Sequence, residues 1–212
     1  MGDFAAVLWD LDGTLIDSEP LWMAGEHELA DAHGAVWTEE DGLNLVGNSL
    51  IESGRYIKKR LGSDLSAEDI VDILVARLAD DLSREIPWRP GAVELFTALA
   101  EAMVPQALVT MSYAAIARPV GAALPFAAIV TGDQVTNGKP HPEPYLRAAE
   151  LLGVDAADCL AIEDSGTGAT SANAAGCHVL VVPHFVNVPD APRRTQRASL
   201  ERLRPDGLRD LF

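Results

Sequence analysis

The chain has 212 residues, 48% hydrophobic and 23% charged, and its 32 acidic against 16 basic residues give a formal net charge of −16. This is enough apolar material for one large domain, or one domain with an insert. The acidic balance argues against nucleic acid or an anionic membrane surface as a partner, because both bind basic surfaces.

No apolar run approaches membrane-spanning length, and the N-terminus shows no secretory leader. Cys159 and Cys177 sit among apolar and small residues without a framework spacing, so they read as buried free thiols of a cytoplasmic protein.

In chain order, the apolar run Ala5-Ala6-Val7-Leu8-Trp9 stops at Asp10-Leu11-Asp12-Gly13-Thr14. A short continuous apolar run followed at once by a turn signal predicts a buried strand, with Asp10 and Asp12 at its carboxyl end. Strand residues two apart share a face, so these carboxylates can point the same way. Two carboxylates this close repel, so either a cation joins them or one takes a proton.

From Asp17 to Ile86 the pattern is helical throughout. Segments over residues 19–33, 49–61 and 66–85 carry apolar residues at helical spacing, with stops at Gly34 and Gly62. Thr38-Glu39-Glu40-Asp41 and Ser66-Ala67-Glu68-Asp69 read as capping boxes. Trp22, Trp37, Asn48 and Tyr56 are candidates to face a site from this bundle, although aromatic residues in a helical bundle belong more often to its core. Lys58 and Lys59 read as solvated charges.

After Pro87, Pro90 and Gly91, helices alternate with short apolar runs. Helices are predicted over residues 93–102, 114–123 (interrupted near Pro119), 142–152 and 167–175. Strands are predicted over 106–110, 127–131, 159–162 and 178–182. The arginines from Arg193 to Arg209 read as a basic tail bridged to an acidic surface.

Such alternation predicts a parallel sheet with helices on both faces. The first strand joins that sheet, which makes the fold a discontinuous α/β core, residues 1–16 and 87–212, with a helical insert at 17–86. Ligands of open α/β sheets bind at the carboxyl ends of the strands. Four predicted strands deliver polar residues to that edge: Asp10 and Asp12, Thr110, the segment reaching Lys139, and Glu163 with Asp164.

These residues resemble the haloacid dehalogenase-like hydrolase superfamily. The resemblance rests on Asp10-Leu11-Asp12-Gly13-Thr14-Leu15, Thr110, Lys139-Pro140-His141-Pro142, and Glu163-Asp164-Ser165 with Gly168 and Ala174-Ala175-Gly176. It covers essentially the whole chain and implies a Rossmann-like core with a helical cap. It also implies phosphoryl transfer through an aspartyl-phosphate, with Mg2+ as cofactor and a small phosphorylated metabolite, such as a sugar phosphate, as substrate.

Under that resemblance Asp10 is the nucleophile and Asp12 the general acid and base. Asp10, the Asp12 backbone carbonyl and Asp164 are the metal ligands, with Glu163 beside them. Thr110, the backbone at Met111, and Lys139 hold phosphoryl oxygens, and Asn48 is a substrate contact from the cap. Asp12 distinguishes the chain from the dehalogenase branch. The mutase branch stays as the alternative, but Trp22 stands where mutases carry histidine, and the arginine they place near Gly47-Asn48-Ser49 is missing. A non-catalytic binding relative is the least favoured reading, since nucleophile, acid and metal ligand are all present.

Overall fold

β1 (Ala6–Trp9) is buried along its whole length and forms the centre of a six-stranded sheet in the computed structural model, which describes residues 4–45, 49–184 and 187–209. After β1 come α1 (Glu19–Ala32), α2 (Glu39–Leu43), α3 (Leu50–Leu61) and α4 (Ala67–Arg84), then α5 (Ala92–Glu101) and β2 (Gln106–Val109). The chain continues through α6 (Ala114–Ala123), β3 (Ala128–Val130), α7 (Glu143–Leu152), β4 (Cys159–Glu163), α8 (Gly166–Ala174), β5 (His178–Val181), β6 (Arg194–Gln196) and α9 (Pro205–Arg209).

All strand pairings are parallel, in the order β3-β2-β1-β4-β5-β6. The order reverses direction between β1 and β4, which opens a crevice at their carboxyl ends.

The strands alternate between two cores. Val7, Trp9, Leu108, Leu160 and Ile162 face one layer, with α5 and α6. Ala6, Leu8, Ala107, Val109, Cys159 and Ala161 face the other, with α7 and α8. This is the period of two expected of a sheet covered on both faces. Both cysteines are buried free thiols.

The helices between β1 and β2 have a small core of their own around Leu29, Trp37, Ile57, Ile70 and Leu74. Their starts are set by side chains. Thr38, Ser49 and Ser66 each accept the backbone N–H three residues on, and Asp41, Glu52 and Asp69 reach back to the cap. Gly62 ends α3 in the left-handed region, at φ 63°. α4 carries two apolar faces: Ile70 and Leu74 enter the small core, while Val71, Val75, Leu78 and Leu82 join the sheet's core. Trp37 and Tyr56 are packed edge to face within the insert, so they belong to its core. Trp22 lies between the two cores, and Lys58 and Lys59 are exposed.

Three expectations are corrected. Pro119 does not interrupt α6, which runs on through it with Ile116, Ala117 and Val120 buried; packing outweighs the one N–H that proline cannot supply. β6 is an additional strand. Its sequence, Arg194-Thr195-Gln196, has no apolar alternation because an edge strand is only half buried. The bridging expected of the tail arginines is not what Arg193 and Arg194 do: Arg193 donates to the Ala157 carbonyl, and Arg194 to the Asn173 side chain and the Pro189 carbonyl.

One buried acid in the insert opposes its stability. Glu26 on α1 is 6% exposed, and among the described residues its carboxylate accepts only the Trp37 indole N–H, at 3.2 Å. Burial, reinforced by Glu19, pushes its pKa up to about 7 from 4.5. The folded chain therefore holds a proton between those two values that the unfolded chain releases, and stability falls as pH rises across that window. Glu26→Gln keeps an acceptor without the charge. Urea unfolding should show no gain over the wild type below pH 4.5 and a gain approaching about 3 kcal/mol above pH 7. A gain independent of pH would show that Glu26 is not the group responsible.

Candidate active site

β1 and β4 end side by side, and their last residues lead into two acidic turns. The Asp10 amide donates to the Ile162 carbonyl at 3.0 Å, which holds the first turn against the second. The first turn then folds back on itself: Leu15 and Ile16 donate to the Leu11 carbonyl at 2.9 and 3.1 Å. Gly13 stands at φ 83°, and a Cβ there would lie 2.1 Å from Asp164 Oδ2. Only glycine serves both the left-handed backbone and this close approach.

Lys139, from the loop between β3 and α7, enters the gap between the acids. Its Nζ donates to Asp10 Oδ1 and Glu163 Oε1, both at 2.7 Å, and to the Val109 carbonyl at 2.9 Å. The Lys139 and Glu163 side chains are 5% and 1% exposed. Three donor positions meet three acceptors, so the ammonium is fully used. Burial opposes its charge, but Asp10 and Glu163 overcome that and raise its pKa.

Glu163 is held by more than the lysine. Tyr145 on α7 donates to Oε1 at 2.5 Å, and Ser165 donates to Oε2 at 3.2 Å. A Cβ on Gly168 would fall about 2 Å from the same carboxylate, so α8 approaches Glu163 through a glycine. Glu163 thus backs Lys139 and is fixed from three sides.

Asp12 is oriented differently. Ser18 donates to its Oδ1 at 2.6 Å, while Ser112 and Thr110 donate to its Oδ2 at 2.7 and 3.3 Å. Its carboxyl therefore turns toward hydroxyl groups of the β2 loop and the start of α1. One carboxylate oxygen from each of Asp10, Glu163 and Asp164 clusters instead, the three within 4.8 Å of one another.

The electrostatics of that cluster are unfavourable as it stands. Burial, with help from Glu163 and Asp12 and against the pull of Lys139, raises the Asp10 pKa to about 7. Burial, followed by Asp10 and Glu163, raises Asp164 to about 9. Asp10 Oδ2 is buried without a hydrogen-bond partner among the described residues. Hard carboxylate oxygens, an orphaned one among them, and excess negative charge suit a divalent cation such as Mg2+.

The structure thus brings Asp10, Asp12, Thr110, Lys139, Glu163 and Asp164 to one crevice. Met111 borders it, but its side chain turns to the lysine loop, where the sulfur accepts the Lys139 N–H at 3.3 Å. Asn48 lies outside the described residues. Ser18, Ser112 and Tyr145 are the additions. The two serines flank motif residues, whereas Tyr145 has no signal in sequence beyond an aromatic on the buried side of a helix.

A family model described as haloacid dehalogenase-like hydrolase matches residues 4–176. Hexitol phosphatase A of Escherichia coli K12 is 37% identical over 194 residues, covering 88% of this chain and 85% of its own. The crystal structure of CbbY from Rhodobacter sphaeroides in complex with phosphate superposes with a TM-score of 0.82 at 26% identity, over 94% of this chain and 96% of that one. A putative beta-phosphoglucomutase from Thermotoga maritima superposes with a TM-score of 0.74 at 26% identity, over the full length of both chains.

The ion cluster is a coupled unit. Lys139→Met leaves Asp10 and Glu163 buried without their cation and should cost about 3–5 kcal/mol in urea unfolding. Adding Glu163→Gln should recover part of that loss. Additive costs in the double mutant would show that the two residues do not interact energetically.

Proposed function

The chain belongs to the haloacid dehalogenase-like hydrolases, and from that premise we propose that it is a Mg2+-dependent phosphatase that hydrolyses a small sugar or sugar-alcohol phosphate through an aspartyl-phosphate on Asp10. One observation carries this reading. Two carboxylates one residue apart have separate surroundings, Asp10 against an ammonium with an oxygen free, and Asp12 against three hydroxyl groups. That difference supports a division of labour between a nucleophile and an acid–base group.

In the first step the Asp10 carboxylate attacks phosphorus and the ester P–O bond breaks. Asp12 gives its proton to the leaving alkoxide. In the second step Asp12 takes a proton from water as the water attacks phosphorus, and the aspartyl P–O bond opens to release inorganic phosphate. Lys139 offsets the repulsion between carboxylate and phosphoryl oxygens, and Thr110 and the Met111 backbone border the oxygens' place. The metal would be held by Asp10, Asp164 and the Asp12 carbonyl, with Glu163 behind them, and would supply positive charge against the phosphoryl group.

Residues 17–86 act as a cap in this reading, limiting water access and selecting the substrate. A sugar-alcohol phosphate is the first class to test, because the relative at 37% identity is named a hexitol phosphatase. A mutase must hold a second phosphate in the cap, yet Arg60 is tied to Asp41 and Arg77 to Glu28 and Asp81. Hydrolysis is therefore preferred.

Release of inorganic phosphate from an aryl phosphate and a panel of hexose and hexitol phosphates tests the reaction. Turnover should require Mg2+ and vanish in Asp10→Asn. An isomerised sugar phosphate as main product would assign the chain to mutases instead, and folded protein with no turnover on any ester would remove the phosphatase reading. Asp12→Asn should slow turnover about 10²–10⁴-fold while keeping Mg2+ affinity, and Asp164→Asn should lose that affinity in calorimetric titration. Equal losses of Mg2+ binding in the two variants would refute the assigned roles.

A further inference from the structure

The chain crosses twice between the sheet and the helical insert, and the two crossings are paired. The Asp17 backbone amide donates to the Pro87 carbonyl and the Arg89 backbone amide to the Leu15 carbonyl, each at 2.8 Å, around an isolated bridge between Ile16 and Trp88. Behind this hinge lies a cavity of about 120 Å³, lined by Thr14, Arg89, Pro90, Val182, Ser199 and Leu200 among others. None of these is a residue of the acidic crevice.

Two features of the cavity are unexplained by the fold. The Thr14 hydroxyl is buried, in a residue 1% exposed, and has no hydrogen-bond partner among the described residues. An orphaned hydroxyl beside open space calls for an occupant that can hydrogen-bond. Arg89 is the second. In a chain with twice as many acids as bases, this half-buried guanidinium has no carboxylate in ion-pair distance among the described residues.

The side-chain partner of Arg89 is His184, whose Nδ1 accepts from Nη1 at 2.8 Å. A guanidinium only donates, so Nδ1 must present its lone pair, and Nε2–H then donates to Asp17 Oδ1 at 3.1 Å. The relay fixes the guanidinium while consuming one of its nitrogens. Nε and Nη2 have no partner among the described residues. The Ser199 hydroxyl accepts the Glu201 N–H at 3.1 Å, and its proton makes only a long 3.4 Å contact to Glu201 Oε2. That proton can turn to a better acceptor in the cavity.

We propose that this cavity binds a small tetrahedral oxyanion, through the free face of Arg89 and the hydroxyl groups of Thr14 and Ser199, at the hinge and apart from the acidic crevice. A cationic fork with two hydroxyl donors is complementary to an anion with several acceptor oxygens and offers little to a cation or a neutral solute. The cavity, at about 120 Å³, has room for a bare oxyanion. Inorganic phosphate, the product released under the proposed reaction, has this chemistry, but the site itself stands on Arg89 and Thr14 and not on that reaction.

Calorimetric titration of the full chain with sulfate, and separately with inorganic phosphate, tests the site in metal-free buffer. Without a cation the acidic crevice repels anions, so phosphatase activity plays no part in the readout. Both ions should bind once per chain. Affinity should fall about tenfold or more in Arg89→Gln, less in Arg89→Lys, and measurably in Thr14→Val, which keeps the volume and removes the hydroxyl. Ser199→Ala serves as a second near-isosteric variant, and near-ultraviolet circular dichroism verifies the fold of each. No saturable binding at millimolar anion, or binding that all four substitutions leave unchanged, would overturn the proposal.

Discussion

Everything at the crevice depends on one buried ammonium shared by two carboxylates. Lys139 lies 2.7 Å from both Asp10 and Glu163, in surroundings where each charge alone would be costly to hold. The proposed reaction needs an anionic Asp10, yet burial raises its pKa to about 7. Lys139 is the group that pulls it back. Glu163 in turn gives the lysine a second anionic partner; Tyr145 shares its Oε1 with Lys139, and Ser165 donates to the remaining Oε2. The loop after β3 therefore has to be placed well, and the Met111 sulfur and Val109 carbonyl are the contacts that place it.

The acids are packed tightly enough that missing side chains matter as much as present ones. Gly13 admits Asp164 where a methyl group would collide with it, and Gly168 admits Glu163 in the same way. These two glycines let β1 and β4 bring their carboxylates within 4.8 Å of one another. Such closeness is unfavourable for anions alone and favourable once a hard cation neutralises them. The site is thus built for a charge balance that the protein's own lysine only partly supplies.

Much of this was legible in the residues, because the signals are local. A run of apolar residues cut by Asp10-Leu11-Asp12-Gly13 fixes both the strand and the edge at which its acids stand. Capping boxes at Thr38 and Ser66 and the glycine stop at Gly62 mark the helix ends closely for the same reason. What escaped is what depends on tertiary placement. Tyr145 reaches Glu163 across 18 residues, and its role exists only because α7 packs beneath β1. β6 has no periodic signature, since its outer face meets solvent. Pro119 looked like a break because propensity is local, whereas the packing of α6 is not.

The insert and the core are less separate than their chain order suggests. α4 lends Val71, Val75, Leu78 and Leu82 to the sheet's core while Ile70 and Leu74 hold the insert together. A movement of the whole insert would have to uncover those four side chains, at roughly 25 cal/mol for each Å² of apolar surface returned to water. Movement confined to the start of α1 would disturb far less. Ser18 is the residue just before that helix, and its hydroxyl holds Asp12 Oδ1 at 2.6 Å. The neighbouring Asp17 is held through His184 to Arg89 on the returning crossing. Two adjacent residues thus tie the Asp12 carboxyl and the paired crossings to the same few ångströms of backbone, so a shift of that backbone moves the donor on Asp12 and loads the relay together.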